Sequence, residues 1–203
     1  MAEPPRAGRF ISFEGIDGSG KSTQARLLAE RLGAVLTREP GGSRGAEEIR
    51  QLLVAGDAGR WSAETEILLF TAARRDHIER VILPALERGQ TVVCDRFADS
   101  TRVYQGAARA DLRPMVDKLH DLVIGIEPDL TLIIDMDPAA ALERGLARNS
   151  GEDRFEGMGM DFQQRLAAGF RALAQEAPAR CRLIDGRGTP DEVAGRVWRA
   201  VSA

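Results

Sequence analysis

The sequence has little lysine, little cysteine, few aromatic side chains and almost no net charge. Lys21 and Lys118 are the only lysines in 203 residues, and 28 Lys plus Arg against 31 Asp plus Glu leave a net charge of −3. A balance so near neutrality predicts no nucleic-acid or membrane partner, so any anion site must be local. The two cysteines, Cys94 and Cys181, argue against a disulfide framework and favour a reducing cytoplasm.

Long apolar runs are also missing. The first residues contain no stretch of signal-peptide or membrane-spanning length. Residues 1–8, rich in Pro and Ala, predict a flexible N-terminal leader. With 43% hydrophobic and 29% charged residues, residues 9–203 are expected to form one domain with a well-filled core.

Short apolar segments do alternate with helical patterns along the chain. Strands are expected at residues 10–13, 34–36, 91–94, 130–134 and 182–184. The alternation predicts an α/β fold in which a five-stranded parallel sheet carries helices on both faces. Ligands of such sheets bind beyond the carboxyl ends of the strands, so we expect the functional residues there.

Helix signals accompany the strands. Ser62 is expected to cap a long helix that continues to Val81, with Pro84 ending or kinking it. Asp161 and Gln164 resemble a capping box for a later helix. Neither His77 nor His120 has ligand spacing, and we interpret both as structural.

Residues 15–22 read Gly-Ile-Asp-Gly-Ser-Gly-Lys-Ser directly after the first strand, which is the pattern of a phosphate-binding loop. Glycines let backbone N–H groups turn toward an anion, and the following helix N-terminus adds its positive dipole. Lys21 then places a charge on the outer phosphates, and Ser22 can hold a magnesium ion. Because lysine is so rare in this chain, an accidental match is a poor alternative.

Asp95 and Arg96 follow the third strand. Asp95 is a candidate magnesium-supporting carboxylate, with a strand-end cap as the alternative. Arg96 stands where many hydrolytic ATPases carry a second acid, and a guanidinium suits an anionic second substrate instead. The pair therefore favours phosphoryl transfer over hydrolysis.

At this point the chain resembles the thymidylate kinases over nearly all of its length. The resemblance is carried by residues 14–23 and 37–42, Leu68-Leu69-Phe70 with Arg74, Asp95-Arg96-Phe97, and Ser100 followed by Tyr104-Gln105-Gly106. It implies the doubly wound fold of the P-loop nucleoside monophosphate kinases. It also implies transfer of the γ-phosphoryl group of ATP to dTMP with Mg²⁺, and a cytoplasmic homodimer.

The resemblance assigns roles to individual residues. The ATP phosphates would bind Gly15, Ile16, Asp17, Gly18, Ser19, Gly20, Lys21, Ser22 and Thr23. Arg38 and Arg96 would hold the dTMP phosphate, Phe70 would stack on thymine, and Arg74 would donate to thymine O4. For Arg38 the alternative is a surface charge, and for Phe70 it is a place in the core.

Four further residues complete the implied acceptor site. Ser100 and Gln105 would supply polar contacts to the base, and Tyr104 would lie beside the sugar and disfavour a 2′-hydroxyl. Asp17 would accept from the 3′-hydroxyl. An acidic side chain inside a phosphate loop needs a donor or a nearby cation, and a sugar hydroxyl or magnesium would meet that need.

The resemblance also bears on the catalytic cation. Lys21 is the only basic residue of the loop, which matches family members that supply arginine from a lid, here residues 144–159. Arg148 and Arg154 would then act with Lys21 and Arg96 in catalysis, whereas Arg144 is as easily a solvated charge.

Other functions remain compatible with the sequence. The acceptor could be another pyrimidine nucleoside monophosphate, although a nucleoside would need no pair of phosphate-binding arginines. A GTP-dependent switch would need an Asn-Lys-x-Asp segment, and Lys118 lacks those neighbours. A nucleotide sensor without catalysis would bind ATP and dTMP but form no ADP.

Overall fold

A computed structural model of the chain describes residues 8–54, 59–109, 112–148 and 159–203. Five strands form one sheet: β1 Phe10–Glu14, β2 Val35–Arg38, β3 Val92–Asp95, β4 Leu130–Asp135 and β5 Cys181–Asp185. Their order across the sheet is β2-β3-β1-β4-β5, and every neighbouring pair is parallel. The five-stranded parallel sheet predicted from the sequence is confirmed.

The helices connect these strands in chain order. They are α1 Lys21–Leu32, α2 Arg44–Val54, α3 Ala63–His77, α4 Leu83–Glu87, α5 Ala98–Thr101, α6 Arg113–Leu119, α7 Pro138–Arg148, α8 Met160–Glu176 and α9 Pro190–Ser202. Three π-helical segments, Ile78–Ile82, Arg102–Arg109 and His120–Ile124, continue α3, α5 and α6.

Strand β1 is buried on both sides, so its side chains divide the core. Ile11 and Phe13 pack with α1 and α9 on one face of the sheet. Phe10 packs on the other face in a cluster with Phe97 and the segment Ile78–Ile82. Because side chains alternate along a strand, Ser12 and Glu14 share the face of Phe10. Helices therefore cover both faces, as the sequence pattern predicts.

Of the two helix caps expected from the sequence, the one at Ser62 is confirmed and the one at Asp161 is wrong. The Ser62 Oγ accepts from the Thr65 N–H at 3.2 Å, and Thr189 forms a capping box with Glu192. The capping box expected from Asp161 and Gln164 is wrong, because the N-cap of α8 is Gly159, two residues earlier, with a positive φ of 84°, and the helix begins at Met160. Asp161 lies in the first turn of α8 and does not cap it.

The long helix expected from Ser62 to Val81 is interrupted before Pro84. Regular α-helix ends at His77, the segment Ile78–Ile82 is π-helical, and Pro84 lies in the first turn of α4. Proline has no N–H and its ring crowds the preceding turn, so the helix is perturbed upstream of the proline as well as at it.

The position of Gly8 corrects a second expectation from the sequence. Expected at the end of a flexible leader, it is buried, and its N–H donates to the Leu86 carbonyl oxygen at 3.2 Å. A Cβ at this position would lie 2.1 Å from the Gln90 carbonyl oxygen. Residues 1–7 lie outside the described residues. In the described ranges, no helix combines the length and apolarity that crossing a membrane requires.

Candidate active site

A cavity of about 350 Å³ opens beyond the carboxyl ends of β1, β2 and β3. Eleven residues singled out from the sequence line it: Asp17, Lys21, Ser22, Arg38, Phe70, Arg74, Asp95, Arg96, Ser100, Tyr104 and Gln105. A neighbouring groove shares Ser22, Arg38 and Asp95 with this cavity and adds Thr23. The parallel topology thus gathers side chains from four separate segments of the chain.

The phosphate-binding loop lies between β1 and α1. Gly15, Gly18 and Gly20 have positive φ angles of 136°, 80° and 94°, which residues with a side chain rarely adopt. A Cβ on Gly18 would lie 1.8 Å from the Ala141 carbonyl oxygen, so the first turns of α7 pack directly on the loop. These positions explain why the loop needs glycine.

Lys21 begins α1 and is buried under the loop. Its Nζ donates to the Ile16 carbonyl oxygen at 3.3 Å and to Asp17 Oδ1 at 3.2 Å. Burial lowers the pKa of Lys21 and the nearby Arg96 adds to this, whereas Asp17 opposes it. An anion bound in the cavity would therefore lie near an ammonium group that already forms an ion pair with the Asp17 carboxylate.

Asp17 and Arg96 form the central ion pair of the cavity. Arg96 Nη2 donates to Asp17 Oδ1 at 2.6 Å, and the Tyr104 hydroxyl donates to Asp17 Oδ2 at 2.9 Å. Burial disfavours the charge on Asp17, but Arg96 and Lys21 outweigh burial and hold its pKa well below the usual range. The negative charge of Asp17, which is unfavourable inside a phosphate-binding loop, is thus balanced by Arg96 and Lys21.

Arg96 has a left-handed backbone, with φ 71°, and it is the only residue other than glycine with positive φ among the described residues. Its N–H continues the sheet by donating to the Phe13 carbonyl oxygen at 2.9 Å. The turn directs the guanidinium toward the loop, where Nη1 donates to the Gly15 carbonyl oxygen at 3.3 Å and to Ser100 Oγ at 2.9 Å. Such strain often accompanies a functional role.

Glu14 is a residue of this site that the sequence reasoning missed. Its buried carboxylate accepts from the Phe97 N–H at 2.8 Å, the Ser100 N–H at 3.1 Å and the Ser100 hydroxyl at 2.5 Å. It therefore caps the helix that follows Arg96 and fixes the serine that contacts Arg96. Burial and then Asp99 raise the pKa of Glu14 to about 7 against the opposing effect of Arg96. Its position at the end of an apolar strand, before the loop, was the available signal.

Arg38 lies at the end of β2, in register with Asp95 at the end of the neighbouring β3. It is half exposed, and its Nη2 donates to both carboxylate oxygens of Glu47 at 3.0 and 3.1 Å. The Gly42 N–H donates to the same carboxylate at 2.9 Å, and this bond contributes most to holding the pKa of Glu47 below its usual value. Arg38 and Arg96 thus line one cavity, each paired with an acid of the protein.

The residues expected around a base come from α3 and from the segment after Arg96. Phe70 is half-buried, and its side chain lines the cavity. Gln105 is buried, with Nε2 donating to Glu66 Oε2 at 3.3 Å. The Ser100 hydroxyl, expected near the base, is held between Glu14 and Arg96.

Arg74 lines the same part of the cavity but is almost entirely buried. Nε donates to Glu39 Oε2 at 2.7 Å, and Nη2 donates to the Phe97 carbonyl oxygen at 3.2 Å and to Thr101 Oγ1 at 3.1 Å. Glu39 also contacts His77. Sequence reasoning quoted Glu39 only as part of a turn motif and did not find this pairing.

Asp95 and Ser22 can be tested as magnesium ligands. Asp95 Oδ1 is buried and has no hydrogen-bond partner among the described residues, which fits a carboxylate oxygen that is available to bind a cation. Ser22 lines the same cavity and the same groove. In the described part of the chain, no three His, Cys, Asp or Glu side chains form a metal-binding group. One carboxylate and one hydroxyl oxygen are a donor set that Mg²⁺ uses beside substrate phosphates.

The expected lid arginines are described only in part. Arg144 lies on α7, is exposed, and has Nη1 3.5 Å from Met136 Sδ. Arg148 is the last residue of α7, and its side chain is outside the described residues, as is the whole of Arg154.

Comparison with known proteins gives one consistent result. The family model described as "Thymidylate kinase" matches residues 13–197. The thymidylate kinase of Dinoroseobacter shibae is 67% identical over 202 residues, which cover 97% of this chain and 96% of that protein. The thymidylate kinase of Ruegeria pomeroyi is 63% identical over 199 residues, covering 96% and 94%. The crystal structure of thymidylate kinase from Ehrlichia chaffeensis superposes with a TM-score of 0.79 at 38% identity, covering 97% of this chain and 99% of that one.

Proposed function

The chain belongs to the thymidylate kinase family and is an enzyme that phosphorylates dTMP with ATP, and from this premise we propose how its cavity performs the transfer. One observation carries the proposal: the loop lysine, two arginines and the aromatic and polar residues expected around a base all line one cavity. A cavity with cations toward the phosphate loop and Phe70 on α3 suits a nucleoside monophosphate beside the phosphates of a second nucleotide.

On the donor side, residues 15–23 hold the phosphates of ATP. The inward-turned amides of the loop and the N-terminus of α1 provide an anion site, and Lys21 supplies a compact charge to the outer phosphates. The γ-phosphorus forms a bond to an oxygen of the dTMP phosphate as its bond to the β–γ bridging oxygen breaks, so that ADP leaves with both bonding electrons.

On the acceptor side, Arg38 and Arg96 hold the dTMP phosphate. Their side chains line the cavity together, and two guanidinium forks restrain an acceptor that must attack in line. A phosphate monoester is largely a dianion at neutral pH, so its oxygen needs no general base. Asp17, beside Arg96, accepts from the 3′-hydroxyl of dTMP, and Tyr104 lies beside the sugar.

The base binds between α3 and the segment that follows Arg96. The half-buried Phe70 stacks on the thymine ring, and Arg74 donates to thymine O4. Ser100 and Gln105 supply polar contacts. Cytosine presents an amino group where thymine presents O4, so a fixed N–H donor at this place disfavours it.

Ser22 and Asp95 would hold Mg²⁺. Asp95 Oδ1, which is buried and has no hydrogen-bond partner in the described part of the chain, supports this assignment. When bound, the ion neutralises charge on the β- and γ-phosphates of ATP.

Residues 9–203 act as one domain, with residues 144–159 as a lid. Arg148 and Arg154 supply the cations that the loop lacks, since phosphoryl transfer spreads charge over the equatorial oxygens of the transferred group. Closure of such a lid would also exclude water that wastes ATP. Arg144 takes no part in this scheme.

The enzyme works in the cytoplasm as a homodimer. Leu68 on α3 and Leu122 in the segment after α6 are 52% and 79% exposed. Arg75 of α3 donates from Nη1 to the Val123 carbonyl oxygen at 2.9 Å, so α3 packs beside the segment that holds Leu122. Two exposed leucines on neighbouring elements support a face for a second copy of the chain.

A substrate panel tests the proposal. With ATP and Mg²⁺, we expect ADP formation with dTMP to exceed that with dCMP and with purine monophosphates by about 10⁴-fold in kcat/KM, the discrimination of a site built around a hydrogen-bonded group. A Lys21→Met variant gives the background ADP formation. Equal rates across the panel would contradict the base pocket, and binding of both nucleotides without ADP formation would indicate a sensor.

A further inference from the structure

His77, the last residue of α3, is fully buried and organises the turn that follows β2. Its Nδ1 lies 3.0 Å from Glu39 Oε1, and its Nε2 lies 2.7 Å from Thr37 Oγ1. Gly42 packs against the same ring: its φ is 87°, and a Cβ there would lie 2.4 Å from His77 Nε2. Three residues of the segment 37–42 therefore fold around one imidazole.

Glu39 joins this histidine to the cavity. Its Oε1 accepts from His77 and its Oε2 accepts from Arg74 Nε at 2.7 Å, with Glu39 and Arg74 both 4% exposed at the side chain. Arg74 and His77 are three residues apart on α3 and so present one face to Glu39. A carboxylate only accepts, so the imidazole donates from Nδ1 and both acceptor oxygens are engaged.

The contacts that run from His77 through Glu39 fix the guanidinium of Arg74. Its Nε is held by Glu39, and its Nη2 by the Phe97 carbonyl oxygen and Thr101 Oγ1. None of these bonds uses Nη1, and Arg74 lines the cavity. A planar group held at two nitrogens has one orientation, so its remaining donors point in a set direction.

We propose that His77 is a positioning residue for base selection, which acts by holding Glu39 and through it the plane of the Arg74 guanidinium. The inference rests on the proposed function, in which Arg74 donates to thymine O4. A donor with a fixed direction favours an acceptor oxygen and penalises the amino group of cytosine, whereas a donor that can turn away penalises it less. Removing the imidazole would leave Glu39 with one partner and let Arg74 reorient.

The molecule contains a matched control. His120 Nε2 lies 3.2 Å from Glu127 Oε1, and Arg102 Nη2 donates to the same oxygen at 2.5 Å. His120 and Arg102 are both buried, and neither they nor Glu127 lines the cavity. A histidine, glutamate and arginine thus repeat the same chemistry away from the site.

The experiment compares His77→Leu with His120→Leu by calorimetric binding of dTMP and of dCMP. We expect the ratio of the two dissociation constants, dCMP over dTMP, to fall by about tenfold in His77→Leu, the effect of one lost hydrogen-bond constraint. The same ratio in His120→Leu should stay within about twofold of the wild type. Thermal unfolding of both variants reports the structural cost separately.

Further variants keep the proposal falsifiable. His77→Asn retains a side-chain donor toward Glu39 and should restore part of the ratio, and His77→Phe, which keeps a ring but lacks the Nδ1 donor, replaces His77→Leu if that variant does not fold. An unchanged ratio in folded His77→Leu or His77→Phe, with Arg74→Lys lowering it, would overturn the role of His77 alone. An unchanged ratio in Arg74→Lys would overturn the role assigned to Arg74 in the proposed function.

Discussion

Asp17 in the phosphate loop and Arg96 after β3 are 79 positions apart in the sequence, yet Oδ1 and Nη2 lie 2.6 Å apart. The Tyr104 hydroxyl donates to Asp17 and accepts from Arg96 at 3.0 Å, so three side chains close one corner of the cavity. If Arg96 holds the dTMP phosphate as proposed, that phosphate shares the guanidinium with this carboxylate. In the proposed scheme, the donor loop and the acceptor site are coupled through this one ion pair.

Arg96→Lys tests the importance of the planar guanidinium. Arg96 uses both terminal nitrogens to reach four partners, and an ammonium group keeps the charge but cannot reproduce this fork. We expect kcat/KM for dTMP to fall by about 100-fold, the loss of one or two charge-assisted hydrogen bonds. Steady-state kinetics measures it. Arg182→Lys, at an exposed position on β5, is the control, and an equal loss in both variants would contradict a specific role for Arg96.

Alanine variants of the lid arginines test where the transition-state cation originates. Because the charge they would stabilise develops during transfer, Arg148→Ala or Arg154→Ala should lower kcat by at least about 100-fold and raise the KM for dTMP much less. Arg144→Ala, which removes the contact with Met136, should leave kcat within about twofold. Unchanged kcat in both Arg148→Ala and Arg154→Ala would remove the lid arginines from the mechanism.

Asp95→Asn tests the proposed magnesium site. The amide has the shape of the carboxylate but lacks its charge, so we expect the Mg²⁺ concentration for half-maximal activity to rise by about tenfold or more. Asp135→Asn is the matched control, because Asp135 ends β4 as Asp95 ends β3 and pairs with Arg171 at 2.9 Å. Identical Mg²⁺ dependence of Asp95→Asn and the wild type would show that Asp95 does not support the ion.

The sheet and the edge that carries the phosphate loop were predictable from the sequence because they rest on local rules. Most of the cavity lining was instead implied by the family resemblance: Arg38, Phe70, Arg74, Ser100, Tyr104 and Gln105. Apolar strands separated by helices admit few parallel arrangements, and ligand sites follow the carboxyl ends of the strands. The sequence alone therefore assigns the loop glycines, Lys21 and Arg96 to one edge of the sheet. The structure confirms that edge, with Lys21 and Arg96 on the same cavity.

The contacts of the buried acids Glu14 and Glu39 could not be predicted from the sequence in the same way. Glu14 lies within an apolar strand, and its three donors come from residues 97 and 100, far along the chain. Glu39 meets Arg74 and His77 only because α3 packs beside the end of β2. Sequence patterns report which residues share a face of one element, but not which elements place a partner opposite them. His77 was accordingly interpreted as structural, without a link to the cavity.

The raised pKa of Glu14 predicts a pH-dependent stability. Burial, and then Asp99, raise the pKa of Glu14 from 4.5 to about 7, although Arg96, Ser100 and Phe97 oppose the rise. The folded state then binds the proton more tightly than the unfolded state does. The stability from this group is fully present below about pH 4.5 and is lost as the pH rises through about 7.

Glu14→Gln removes this titration while keeping the shape of the side chain. Denaturant unfolding of the free enzyme between pH 5 and 8 should show the wild type losing stability relative to Glu14→Gln by up to about 3 kcal/mol as the pH rises. Ser100→Ala removes a hydrogen bond that favours the ionised carboxylate, so it should move the wild-type transition to higher pH. Parallel stability curves for the wild type and Glu14→Gln across this range would mean that Glu14 keeps the same charge throughout, and its contacts with Phe97 and Ser100 would then act only as a helix cap.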